Sequence, residues 1–303
     1  MTGFSETAAL IGAAPQLVGV ITQPGESVGY TERPCVIILG AGLTHHIGPN
    51  RTSVRTARCL AGKGHLVARF DHRGIGDSGP QLDNRPFVES AVDETCEVMD
   101  YLYRHYAVER FVLMGVCSGA ETALRTGFVD QRVVGVGLIN GGGQGYGDDW
   151  ESYEYVRGEA RWYFKRSLFS LDSWWRALTG RIQYRRLLAV LLQRIRNRLV
   201  PSKDVVEASE QAATDIQKLI GRGVQLLWLQ SQGDFSQDFF DTMFGRDSQA
   251  LLEAGSVRIE TIAFTDHTLT DHYSQTRVLG LVDEWLSQAH ESFSEHPHRE
   301  AED

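Results

Sequence analysis

Seven short apolar runs punctuate the chain: LVGVIT (17–22), PCVIILG (34–40), HLVARFD (65–71), RFVLMG (110–115), RVVGVGLIN (132–140), VQLLWLQ (224–230) and VRIETIAF (257–264). They are nearly continuous and rich in Val, Ile and Leu instead of alternating, which is the pattern of strands covered on both faces. Between them lie amphipathic stretches of helical length, roughly at 50–63, 87–105, 118–128 and 271–289. This alternation predicts an α/β fold with one mostly parallel central sheet and helices on both faces.

The rhythm breaks once. Residues 141–222 open on GGGQGYGDDW and continue through aromatic and basic helical segments without a clear strand, which predicts a helical lid inserted into a core made of residues 1–140 and 223–290. Residues 291–303 are polar and predict a loose tail. Within the lid, YRRLLAVLLQRIRNRLV (184–200) places apolar residues at 187, 188, 191, 192, 195 and 199, the period of a helix, with arginines on its other face.

Composition narrows the class. With 42% hydrophobic and 23% charged residues among 303, the chain is expected to fold. No run approaches the roughly 20 apolar residues of a membrane helix, and the first residues lack a signal peptide's basic and apolar regions, so a cytoplasmic protein without a transmembrane segment is expected. The net charge of −9 speaks against a nucleic-acid binder, but it is uneven. Between Arg157 and Arg198, eleven basic residues face only Glu159 and Asp172, a local +9 that leaves −18 on the remainder. The cysteines at 35, 59, 96 and 117 form no C-x-x-C pair, so neither a disulfide framework nor a zinc site is expected. His45 and His46 are adjacent, and neighbouring side chains do not easily share one ion, so no metal or other cofactor is predicted.

The chemistry centres on LMGVCSGAE (113–121). A strand running into Gly115 and a helix starting beside Cys117 give the strand, sharp turn, helix context of a nucleophile elbow, in which only the central residue projects from the turn. That residue is Cys117, not Ser118, whose backbone N–H instead stands where it can face a developing oxyanion. A helix N-terminus also favours a thiolate. A nucleophile needs a base, and the base an orienter. In FTDHTLTDHYSQ, His267 follows the last apolar run closely and leans over the sheet edge, whereas His272 opens the final helix and reads as an exposed or capping residue. Asp234 lies in the turn after VQLLWLQ, while Asp238 falls four residues further, in a helical stretch. The order Cys117, Asp234, His267 is the nucleophile, acid, base order of the α/β-hydrolases.

The sequence thus resembles the α/β-hydrolase superfamily. DHRGIGDSG (71–79) resembles its D-x-R-G-x-G-x-S turn, and ILGAGLTHHIGPNR (38–51) stands where its oxyanion loop stands. Together with GVCSGA, SWWRALTGRIQYRR (173–186) and DHTL, these segments are similar to the bacterial hydrolases found with the exosortase A system and their serine-aminopeptidase-like relatives. The resemblance implies an α/β-hydrolase fold and an oxyanion hole made by the Ser118 N–H together with that of Gly42 or Leu43. A central Cys also resembles the G-x-C-x-G box of dienelactone hydrolases and polyester synthases, the first hydrolytic, the second acyl-transferring.

The function expected is an acyl hydrolase, a thioesterase or esterase, working through an acyl-cysteine. The alternatives are an acyltransferase passing the acyl group to an amine or alcohol, and a non-catalytic module that binds a partner through the basic lid. Aromatic residues such as Trp162, Tyr163, Trp174 and Trp175 suit either an acyl pocket or the packing of lid helices. The arginine face suits solvent, an acyl carrier protein or coenzyme A thioester, or an anionic membrane surface.

Overall fold

The computed structural model describes residues 3–25, 32–141, 203–232, 255–289 and Phe293. Eight strands form one sheet: β1 (Phe4–Ile11), β2 (Leu17–Pro24), β3 (Cys35–Leu39), β4 (Val67–Asp71), β5 (Phe111–Val116), β6 (Val133–Ile139), β7 (Gln225–Ser231) and β8 (Val257–Ile262). Their spatial order is β1-β2-β4-β3-β5-β6-β7-β8. From β4 to β8 all pairings are parallel, whereas β1 and β2 are antiparallel to their neighbours.

All seven apolar runs are strands. The eighth, β1, is missing from the sequence reading because its first five residues are exposed, so FSETAALI carries no continuous apolar signal. It holds to the sheet by its ladder with β2 and by Glu6, which accepts hydrogen bonds from Arg58 and Arg69.

Among the described residues, five α-helices accompany the sheet: α1 (Thr52–Gly62), α2 (Phe87–Tyr106), α3 (Ser118–Val129), α4 (Lys203–Gly221) and α5 (His272–Gln288). Because strand side chains alternate between faces, each central strand feeds two cores. Cys35, Ile37 and Leu39 of β3 join Leu113 and Trp228 on the face packed by Val98 and Leu102 of α2 and Ala123 of α3. Val36 and Ile38 join Met114 and Leu229 on the face covered by Leu60 of α1 and Leu281 and Trp285 of α5. Ile216 and Leu219 of α4 are buried in the first core, so the helix that closes the expected insertion ends as part of the body. Residues 142–202, which hold most of that insertion with its aromatic and basic segments, lie outside the described residues, as does the tail except Phe293.

Chain order along the sheet reverses at one place. From β3 the chain crosses outward by α1 to β4, and from β5 it crosses the other way by α3 to β6. The connections leaving the carboxyl ends of β3 and β5 therefore run to opposite faces of the sheet, and the crevice between such connections is the usual location of a ligand in open α/β sheets.

Candidate active site

The crevice is flanked by the two loops singled out in the sequence. After β5 the chain turns through Cys117 into α3 with φ 56° and ψ −120°. A positive φ is costly for a residue with a Cβ, and such a cost persists only where the surroundings enforce it. Here three contacts do so. The Cys117 N–H donates to the Ile139 carbonyl at 2.9 Å, and its own carbonyl accepts from Ala120 at 3.0 Å. A Cβ on Gly119 would stand 2.6 Å from the carbonyl oxygens of Leu39 and Gly40, so only glycine lets the start of α3 sit against the end of β3. Cys117 is half-buried, and none of the four cysteines forms a disulfide. Burial pushes the thiol of Cys96 up to about 11 and that of Cys35 further still, so neither ionises readily.

Ser118 occupies the first turn of α3, where a backbone N–H has no partner within the helix. Its hydroxyl accepts the Gly42 N–H at 2.5 Å, tying the loop after β3 to the elbow. Of the two loop donors expected to face an oxyanion, Gly42 is thereby engaged by a side chain, while Leu43 beside it is 84% exposed. An apolar pocket beneath joins the elements, with Ala41 from the loop, Gly115 and Val116 from the elbow strand, Ile139 from β6 and Leu269 from the segment after β8.

His267 lies half-buried in that last segment, five residues beyond β8. Its position is fixed by a residue the sequence reading passed over. Asn140 terminates β6 with φ 50°, is almost fully buried, and donates through Nδ2 to the His267 carbonyl and to Ser231 Oγ, each at 2.8 Å. Its Oδ1 accepts the Ser231 N–H at 2.7 Å, and Ser231 Oγ donates to the Asp266 carbonyl at 2.9 Å. One side chain thus pins the ends of β6 and β7 to the histidine segment. An asparagine closing an apolar run is a weak signal of this, since Asn tolerates the left-handed region. Asp234 and Asp238 lie outside the described residues, two and six positions beyond Gln232. His272 opens α5, exposed, with Nε2 2.9 Å from Arg55 and Nδ1 3.2 Å from the Thr276 hydroxyl.

The DHRGIGDSG turn stitches the sheet together. Ser78 Oγ donates to the Asp71 carbonyl and accepts the Val18 N–H, and Arg73 donates to the Pro15 carbonyl and pairs with Glu97. Asp71 is buried, and burial would raise its pKa. The His46 side chain and the backbone N–H of Asp77 nevertheless hold it below the usual carboxylate range by hydrogen bonding to the charged form.

No family model matches the sequence, and neither does any curated protein. Solved structures do match. A proline iminopeptidase of Mycobacterium smegmatis is 16% identical over 94% of this chain and 99% of its own, with a TM-score of 0.57. An esterase of Pyrococcus furiosus is 12% identical over 94% and 91%, with a TM-score of 0.54. An alpha-beta serine hydrolase homologue from Coxiella burnetii is 15% identical over 94% and 97%, with a TM-score of 0.52. At such identities the likeness bears on architecture, and together with the sheet order and the strained elbow between β5 and α3 it establishes that this chain has the α/β-hydrolase fold.

Proposed function

We propose that the protein is a cofactor-independent acyl hydrolase that cleaves esters or thioesters through an acyl-cysteine. The observation that carries this reading is the backbone of Cys117, whose strained conformation at the switch point presents a side chain at the start of a helix. His267, oriented by Asp234, takes the thiol proton, and the thiolate adds to the substrate carbonyl. The resulting oxyanion is met by the N–H groups of Ser118 and of Leu43, since that of Gly42 is held by the Ser118 hydroxyl. Collapse expels the alcohol or thiol, which receives the proton from His267. Water then gives a proton to His267, attacks the acyl-cysteine and frees the acid and the thiol. The structures of an esterase and a proline iminopeptidase on the same fold support hydrolysis of acyl bonds as the class of reaction.

The test is turnover of a panel of activated esters and thioesters by the parent and by Cys117→Ala, with intact mass measured after an activated-acyl probe. An adduct on Cys117 that decays in water, and loss of turnover in the variant, is the expected result. An adduct that persists until an amine or alcohol is supplied identifies a transferase. Unchanged turnover by Cys117→Ala removes the proposal.

A further inference from the structure

The loop after β3 also contributes to a second cluster of titratable groups, which plays no part in that reaction. His45 and His46 of the loop after β3 converge on Asp71 and Asp77 of the turn after β4, with one ligand atom from each lying within 4.8 Å of the others. The two adjacent histidines converge on these carboxylates because each offers a different nitrogen. His45 reaches with its distal Nε2, 2.9 Å from Asp77 Oδ2 and 3.5 Å from Asp71 Oδ2. His46 reaches with its proximal Nδ1, 2.9 Å from the same Asp71 Oδ2.

Charge and spacing both favour a cation. Two carboxylates approach a single imidazole nitrogen, and with neutral histidines the group carries two negative charges around one point. A divalent ion cancels them. A tetrahedral ion with ligand bonds of about 2.1 Å requires its donors about 3.4 Å apart, so separations of 2.9 to 3.5 Å along three edges need only small side-chain adjustments. The floor is rigid: Asp71 has no side-chain exposure, and Gly76, at φ 54°, leaves room for its carboxylate where a Cβ would overlap it. The mouth is open, with the Asp77 side chain 65% exposed and that of His45 33%. Binding would shift the His45 proton to Nδ1, displacing the Ile47 N–H that approaches it at 3.3 Å, a long contact and a small loss.

We propose that His45, His46, Asp71 and Asp77 form a site for a divalent transition-metal ion, zinc by its imidazole and carboxylate donors, that clamps the oxyanion loop to the turn after β4. The site is independent of the acyl-hydrolase reading.

The experiment uses the full chain after chelator treatment, in a Cys117→Ala background to remove one competing thiol. Zn2+ is titrated by calorimetry and Co2+ by absorption, and His45→Ala and Asp77→Asn are compared with the parent. Both substitutions fall at the exposed mouth and leave the buried His46–Asp71 pair in place. One equivalent should bind, Co2+ should give d–d bands without thiolate charge transfer, and saturating Zn2+ should raise Tm by roughly 5 °C. His45→Ala should weaken binding by about 100-fold and Asp77→Asn by about tenfold. Absence of binding, an affinity unchanged in His45→Ala, or a spectrum dominated by thiolate ligation would each overturn the proposal.

Discussion

At the scale of the residue, the proposed chemistry turns on the central letter of the elbow. Cys117 and a serine in its place would share the same φ 56°, because the constraint comes from Gly119 and the ends of β3 and β6, not from the side chain. Cys117→Ser therefore keeps the geometry and changes the proposed nucleophile from a thiol of intrinsic pKa about 8.5 to a hydroxyl scarcely ionised at neutral pH. If His267 acts as a general base on a neutral nucleophile, the cost is partial. We expect kcat/KM to fall about ten- to a thousandfold, measured on one thioester and its oxygen-ester analogue. Equal activity of both proteins on both substrates would mean that the sulfur carries no chemical role.

At the scale of the element, the histidine segment owes its position to the end of a strand elsewhere in the sheet. Asn140 supplies the donor that holds the His267 carbonyl, and Ser231 supplies the one that holds Asp266. Asn140→Asp preserves size and the acceptor for the Ser231 N–H while removing the two donated bonds. Leaving such buried groups unsatisfied costs about 1–3 kcal/mol. If Asn140 positions the base, kcat should fall about tenfold with KM nearly unchanged, and the acid limb of the pH–rate profile should move. A loss of thermal stability with kcat intact would make Asn140 a structural residue only.

At the scale of the molecule, two ionised carboxylates, Glu6 of edge strand β1 and Asp71 at the end of β4, tie their strands to neighbouring elements. Glu6 is held below the usual carboxylate range chiefly by its hydrogen bond from Arg58, with Arg69 adding to it, and burial lowers this effect only in part. Asp71 is likewise held low against its own burial. For both, the folded pKa lies below the unfolded one. Their contribution is therefore complete above the unfolded value near about 4 and is lost as pH falls through the folded values. Urea midpoints taken between pH 6 and pH 3 should stay flat until about pH 4 and then drop. Glu6→Gln should be less stable than the parent at pH 6 and show a shallower drop. A midpoint that rises on acidification would contradict the sign. No described helix is long and apolar enough to cross a membrane.

Periodicity alone determined seven of the eight strands, four of the helices and the elbow, because strands covered on both faces are nearly continuous apolar runs and a sharp strand-to-helix turn demands small residues at fixed offsets. It also located Cys117, the residue with positive φ, at the centre of that turn. The exposed residues of β1 carried no such signal, and its pairing comes from a ladder and from ion pairs with residues more than fifty positions away. The engagement of Gly42 by the Ser118 hydroxyl, the pinning of His267 by Asn140, and the meeting of His45 and His46 with Asp71 and Asp77 likewise belong to the tertiary structure. Each joins loops from different strands through polar side chains, and such contacts leave no period in the sequence because strand order, not chain order, sets which loop ends become neighbours.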